Sequence, residues 1–260
     1  MLLSVVMAVY NERATLPVIL SLVGKALPGV NKEIILVDDG SRDGTREWLK
    51  ANIPDDGLTA GGIEINGAGD IVFAPPTGAV SVAVRPIYLD RNRGKGGALR
   101  AGFAAVQGDV VVIQDADLEY DPADWGAMYE LVGQRGIADV VYGSRFYGRP
   151  HRALRFHHYM GNRLISFLFS MIFNQKLSDV QTCYKMMTRE LADSLRLGHA
   201  GFGIEIEIAA RIVRQRKYRI YEVGITYYGR DAADGKKINW KDGVKALWYL
   251  VKFRFDRPPW

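Results

Sequence analysis

The hydrophobic pattern divides the chain into short apolar runs separated by amphipathic stretches. Residues 3–9, 33–37 and 110–114 are almost unbroken in apolar side chains, and 139–142 is similar. Runs apolar on both faces suit central strands of a covered parallel sheet. Helix-like stretches lie at 15–25, 45–52, 96–106 and 124–134. Thr15 stands where it can cap the first of them, with Pro17 in its opening turn. Strand and helix in alternation predict an α/β sandwich with a mostly parallel central sheet flanked by helices. The second half changes character. An aromatic helix is predicted at 162–174, another helix at 204–216, a strand-like run at 219–228, and a closing basic, aromatic helix at 241–253.

Residues 54–85 interrupt this alternation. They are rich in Gly and Pro, with short β-like pieces at 63–65, 71–73 and 80–84. The pattern predicts a hairpin excursion or a flap, and a surface insert in preference to a substrate lid.

Composition narrows the class. With 260 residues, 48% hydrophobic and 24% charged, the chain can bury a core and is neither disordered nor fibrous. A single cysteine, Cys183, excludes an internal disulfide and a cysteine zinc cage. No secretory leader is visible. The longest charge-free apolar stretch, 164–173, is half the ~20 residues a spanning helix needs. The expected location is the cytoplasm, including a peripheral position on the cytoplasmic membrane face. Charge is uneven: residues 1–140 carry a net −7 and residues 141–260 a net +12. The basic half suits a phosphate-rich partner or a solvated surface. No RRM or helix-turn-helix signature accompanies it, so nucleic acid is not expected.

The strongest chemical signal is Gln114-Asp115-Ala116-Asp117-Leu118-Glu119, directly after an apolar run. Two carboxylates at i and i+2, with a third two residues on, can converge on a hard cation such as Mg²⁺ or Mn²⁺, which takes carboxylates together with substrate phosphates. Ligands of open α/β sheets bind beyond the carboxyl ends of strands, where these residues stand. Two more strand ends agree: Ala8-Val9-Tyr10-Asn11-Glu12 and Val37-Asp38-Asp39-Gly40-Ser41. Tyr10 offers a face for a base, and Glu12 and Asp39 can accept from hydroxyls or a base N–H. Asn92-Arg93-Gly94-Lys95-Gly96-Gly97 precedes a helix but lacks the spacing of a Walker or dinucleotide loop. Its helix-start amides and Lys95 can still hold an anion.

Taken in order, AVYNE at 8–12, VDDGS at 37–41, NRGKGGA at 92–98 and QDADLE at 114–119 resemble the family 2 glycosyltransferases of the GT-A fold. Within them the chain is similar to the dolichyl-phosphate mannosyltransferase and polyprenyl-phosphate glycosyltransferase branch. GSRF at 143–146, DVQT at 179–182 and the stretch 227–243 extend the likeness. It implies a GT-A catalytic domain over 1–230, with 231–260 as a loop and an amphipathic helix of the same domain. It implies an inverting transfer of a hexose from a nucleotide-diphosphate sugar to a polyprenyl phosphate at a membrane surface. By this resemblance Ala8, Tyr10, Asn11, Glu12, Val37 and Asp39 line the nucleotide pocket, with Ala116 beside them. Asp115 and Asp117 bind the metal–diphosphate and Glu119 completes the shell. Arg145 meets the acceptor phosphate, helped by Arg163, and Arg230 and Lys236 clamp the donor phosphates. Two departures stand out: relatives often carry Pro where Ala8 sits and Gln where Glu119 sits. The branch also often adds C-terminal transmembrane helices, and no such stretch is present.

A phosphate-monoester acceptor is already anionic near neutral pH, its second pKa being about 6, and needs no strong base. A hydroxyl acceptor, the alternative, needs one, and Asp179 is the candidate. A third reading is a nucleotide-binding or nucleic-acid-binding module without catalysis. Arg145, Arg149, Arg152, Arg155 and Arg163 cluster after the sheet, and Leu164, Phe167, Leu168, Met171 and Ile172 recur at helical spacing. That stripe fits either a membrane face or a core face. The basic, aromatic closing helix fits either an interface or docking on the domain.

Overall fold

The computed structural model describes residues 1–67, 69–76, 78, 80–147, 156–201, 203–229 and 240–256, without the side chains of 157, 158 and 240–242. Arg149, Arg152, Arg155, Arg230 and Lys236 lie outside the described residues, as do the side chains of His157, His158, Trp240 and Lys241.

The strands are β1 (Leu2–Val9), β2 (Asn31–Asp38), β3 (Leu58–Ala60), β4 (Gly62–Ile65), β5 (Ile71–Ala74), β6 (Val82–Tyr88), β7 (Val110–Asp115), β8 (Val140–Ser144), β9 (Lys185–Thr188) and β10 (Ile220–Gly224). The helices are α1 (Leu16–Lys25), α2 (Thr45–Asn52), α3 (Lys95–Ala105), α4 (Trp125–Tyr129), α5 (Phe156–Phe173), α6 (Arg189–Ser194), α7 (Ile204–Gln215) and α8 (Trp240–Phe255). Eight strands form one sheet in the order β10-β8-β9-β7-β1-β2-β6-β3. β7, β1, β2 and β6 run parallel, as do β8 and β10, while β9 and the edge strand β3 are antiparallel. This is the α/β sandwich the pattern predicts, a GT-A-type fold with its apolar core on both sides of the central strands. In β1, for example, Leu3, Val5, Val6, Met7 and Val9 are all fully buried.

Several expectations need correction. The predicted excursion ends earlier than 85, because β6 is a full strand of the main sheet beside β2 and β3 joins its edge. Only the β4–β5 hairpin stands apart. It leaves β3 at the end paired with the start of β6, the amino end of the parallel strands. There Ile63 packs on Gly24 near the carboxyl end of α1. The hairpin is thus a surface insert at the sheet edge away from the strand ends that carry the chemistry. β9 and α6 were not legible as elements, and β10 stops at Gly224 rather than 228. The helix from Trp125 passes through a π turn at Glu130–Gln134, so its predicted extent holds although its hydrogen bonding changes.

Thr15 occupies the start of α1 but makes no capping bond. Its hydroxyl lies 2.5 Å from Glu12 Oε2 and 3.0 Å from the carbonyl of Ala116, tying the β1 loop to the acidic loop after β7. The apolar stripe on α5 divides. Ile165, Phe169 and Phe173 are buried, Leu168 and Ile172 are partly covered, and Leu164, Phe167 and Met171 face outward. α8 divides likewise, with Ala246, Leu250 and Phe253 inward and Val244, Trp248 and Val251 outward. α5 and α8 pack on one another. Among the described residues no helix is long and apolar enough to cross a membrane.

Candidate active site

The predicted motifs meet because the parallel register brings their strand ends level. Ala8 pairs with Val37 on one side and with Asp115 on the other, so three separate motifs form one row across β2, β1 and β7. The loops beyond that row are laced together. Asn11 adopts a left-handed conformation (φ 57°), its amide donates to Ser41 Oγ at 3.0 Å, and its side-chain oxygen accepts from the Arg42 amide at 2.8 Å. The Glu12 amide donates to Thr45 Oγ1 at 3.1 Å. Tyr10 stays 39% exposed at the rim, a free ring face for a planar group.

Asp39 is buried, and its Oδ1 accepts from the Arg93 amide at 2.6 Å. Burial pushes its carboxyl up, against the opposing pull of the Arg93 and Gly94 amides. Gly40 is required here. Its φ is +77°, and a Cβ would sit 2.8 Å from the Asn92 nitrogen. Asp38, which the sequence reading passed over, is fully buried and ion-paired with Arg46 at 2.5 Å.

Lys95 takes a different part from the anion-binding one expected of it. Its Nζ lies 2.7 Å from Asp115 Oδ1, 3.0 Å from Glu205 Oε1 and 3.2 Å from Cys183 Sγ. Glu205 also pairs with the fully buried Lys185. A chain of alternating charge, Asp115–Lys95–Glu205–Lys185, therefore runs beneath the acidic motif. Burial opposes the Lys95 charge, but Asp115, Cys183 and Glu205 outweigh it and hold the ammonium well above its ordinary range. Burial likewise works against the Asp115 charge, and Lys95 more than offsets it, so that carboxyl is lowered. The start of α3 is equally committed: the Gly96 amide donates to the Ala200 carbonyl at 2.7 Å, and a Cβ on Gly96 would strike the His199 carbonyl at 2.0 Å. The NRGKGG loop is thus a docking surface for residues 199–201 rather than an open phosphate cradle.

The acidic trio spreads out. Asp117 Oδ1 accepts from the Glu119 amide at 3.0 Å, and Glu119 Oε2 accepts from the Tyr227 hydroxyl at 2.8 Å. Among the described residues no three His, Cys, Asp or Glu side chains gather into a cage. What remains is two carboxylates on a strand end, Asp115 backed by the buried Cys183 thiol that hydrogen-bonds it, and carboxylate oxygens are the donors that Mg²⁺ or Mn²⁺ takes when diphosphate oxygens supply the rest.

Asp179 is not the exposed base a hydroxyl acceptor would need. It is fully buried, and both oxygens bind Arg145: Nε at 2.7 Å and Nη2 at 2.7 Å, with the Arg145 amide at 3.1 Å. Arg145 also lies over the Tyr227 ring at 5.2 Å. Arg163 is exposed and stacks on Phe146 at 5.4 Å. Sequence reasoning missed Lys185, Glu205 and the Tyr227 side chain, and took Thr15 only as a helix cap. Only the place of Tyr227, at the start of a motif-like stretch, gave a signal.

The glycosyl transferase family 2 model matches residues 4–59 and 81–196, skipping the segment that holds the β4–β5 hairpin. The chain belongs to glycosyl transferase family 2. A dolichol-phosphate mannosyltransferase of Pyrococcus furiosus is 27% identical over 242 residues, covering 91% of this chain and 59% of that protein. An undecaprenyl-phosphate 4-deoxy-4-formamido-L-arabinose transferase of Aeromonas hydrophila is 35% identical over 135 residues, covering 51% of this chain and 34% of that protein. The chain therefore spans between about a third and three fifths of the length of these curated relatives. The crystal structure of Mycobacterium tuberculosis glucosyl-3-phosphoglycerate synthase with Mn²⁺, UDP and glucosyl-3-phosphoglycerate aligns over 99% of this chain and 81% of that one, with TM-score 0.67 and 18% identity. That likeness establishes the shared fold.

Proposed function

We propose that this family 2 chain is an inverting glycosyltransferase that moves a hexose from a nucleotide-diphosphate sugar to a polyprenyl phosphate. The observation that carries the reading is the row Ala8–Val37–Asp115 at the carboxyl ends of three adjacent parallel strands, with Arg145 at the end of β8 in the same sheet. Tyr10, Asn11, Glu12 and Asp39 supply a base face and hydroxyl acceptors on the β1–β2 side. Asp115 and Asp117 would hold Mg²⁺ or Mn²⁺, with Glu119 behind them, and that ion would supply charge stabilisation to the departing diphosphate. The names of the curated relatives, both lipid-phosphate sugar transferases, support the acceptor class. The locking of Asp179 by Arg145 supports it too, because an anionic phosphate attacks without a base. Of the three Arg145 N–H bonds not committed to Asp179, one is engaged by the Tyr227 hydroxyl and the others can meet that phosphate.

The outward faces of α5 and α8 fit this acceptor. Phe156, Phe167 and Met171 on α5 are exposed, as are Trp248, Val251 and Phe255 on α8, where Lys252 and Arg254 add positive charge. Apolar and cationic side chains on neighbouring helices suit the surface of an anionic bilayer, which is where a prenyl tail resides. Arg230 and Lys236 keep the donor-phosphate role that the resemblance assigns them.

Mass spectrometry of products from a panel of UDP- and GDP-sugars, offered with a short prenyl phosphate and with glycan hydroxyl acceptors, tests the reading. A prenyl-phosphate hexose is the expected product. Sugar found only on hydroxyl acceptors would overturn it in favour of glycan synthesis, and nucleotide binding without any transfer would overturn it in favour of a binding module.

A further inference from the structure

One side chain touches both halves of this site, and no strand-end motif contains it. Tyr227 is 2% exposed. Its hydroxyl donates to Glu119 Oε2 at 2.8 Å, on the side of the acidic motif. Its ring carries the Arg145 guanidinium at 5.2 Å, and its hydroxyl also hydrogen-bonds that guanidinium, on the side assigned to the acceptor. The backbone around it is pinned to the same acidic loop. Tyr227 forms a β-bridge with Tyr120, the Tyr228 amide donates to the Glu119 carbonyl at 2.9 Å, and the Thr226 amide donates to Asp124 Oδ2 at 2.7 Å. The ring is braced by Tyr120, 5.3 Å away between centroids. A phenylalanine would fill the same space, so packing alone does not explain the hydroxyl, whose carboxylate acceptor makes it a charge-assisted bond. A cation over a buried aromatic face is also held more strongly than at a wet surface.

We propose that Tyr227 is a positioning residue that couples the two half-sites, its hydroxyl fixing Glu119 beside the donor diphosphate and its ring fixing Arg145 beside the acceptor phosphate. The inference rests on the function proposed above and adds a residue that the strand-end motifs do not contain. Ordering one half-site then stiffens the support of the other, because both lean on one ring.

The contacts can be removed in steps. Tyr227→Phe deletes the hydroxyl and keeps the ring, while Tyr227→Leu deletes both. Dissociation constants are measured directly for Mn²⁺ with UDP or GDP, by electron paramagnetic resonance of free Mn²⁺, and for farnesyl phosphate by calorimetry. Tyr227→Phe is expected to weaken the Mn²⁺–nucleotide complex about ten-fold, the scale of a hydrogen bond to a charged group, and farnesyl phosphate only about two-fold, because the ring still carries Arg145. Tyr227→Leu is expected to weaken farnesyl phosphate as well, by about five-fold. Tyr120→Phe, which removes a neighbouring buried hydroxyl that accepts from the Cys183 amide, is the control for general loosening. It is expected to lower the melting temperature without this split. Unchanged constants in both Tyr227 variants, or a split equally produced by Tyr120→Phe, would overturn the inference while the functional reading stands. A wild-type chain that binds neither probe would instead overturn the functional reading, and this inference with it.

Discussion

Replacing Lys95 by Met separates a structural lysine from a phosphate clamp. The variant keeps an unbranched side chain one atom shorter and removes the charge from between Asp115 (2.7 Å) and Glu205 (3.0 Å). Removing one partner of a buried ion pair costs about 3–5 kcal/mol, because the other charge is left uncompensated. The lower end applies here. Lys95 and Asp115 retain 18% and 23% exposure, and Glu205 keeps Lys185. A loss of about 3 kcal/mol in a chain of this size lowers the melting temperature by about 6–12 °C. The pH profile gives a second signature. Asp115 is lowered from 3.8, so its stabilisation is present above that value and lost as pH falls through the lowered pKa. Lys95 is raised above 10.5, so its stabilisation is present below that value and lost as pH rises through the raised pKa. In the variant burial without Lys95 raises Asp115, so the gap opens as pH rises from about 4 through that raised value, then stays flat to about pH 10, and closes as Lys95 deprotonates. Urea unfolding across that range, read by tryptophan fluorescence, measures it. A phosphate clamp would give the opposite result, wild-type stability with only a raised donor KM. That outcome, or a gap that shrinks as pH rises from about 4 to 8, would refute the reasoning.

Other perturbations test separate parts of the account. Arg145→Ala strands the fully buried Asp179 and should cost about 3–5 kcal/mol in denaturant unfolding, whereas Arg145→Lys, which keeps charge but not the two-pronged grip, should chiefly raise the acceptor KM; equal effects of the two on stability would contradict this. Burial lowers Lys32 from 10.5 to about 8, so the unfolded chain binds more protons than the folded one between those values and stability should rise across them. Lys32→Met should abolish that rise and add about 1–3 kcal/mol at pH 7, and a destabilised variant would show that its carbonyl contacts to Leu27 and Val30 matter more. Replacing residues 61–78 by a short turn should leave transfer within about two-fold of wild type while lowering stability through loss of the buried Ile63. A collapse of turnover would restore the substrate-lid reading.

Much of the site was legible in the sequence, for a physical reason. In a parallel sheet covered on both faces, each apolar run points its carboxyl end to one edge, so polar residues directly after several runs must share that edge. Ala8, Val37 and Asp115 could be grouped on this ground alone. Side-chain partnership across the chain could not. Lys95 looked like an anion binder because the partners that neutralise it, Asp115 and Glu205, lie far along the sequence and only folding brings them close. Thr15 looked like a helix cap for the same reason, its hydroxyl being drawn to Glu12 and Ala116 instead. Asp179 looked like a base until Arg145 enclosed it. Among the elements, β9 escaped notice because a four-residue strand, Lys185–Thr188, carries too few positions to establish a period. β6 was merged with the insert because the Gly and Pro before it blurred where the sheet resumes.

The central claim is that transfer depends on a divalent ion held at Asp115 and Asp117. It is tested most directly by assaying prenyl-phosphate glycosylation after exhaustive chelation, then on titrating Mn²⁺ back, with Asp117→Ala alongside. Activity is expected to vanish on chelation, to return with Mn²⁺ in the wild type, and to stay absent in a folded Asp117→Ala variant. Full transfer by the stripped enzyme, or Mn²⁺ rescue of the variant to wild-type rates, would contradict the account.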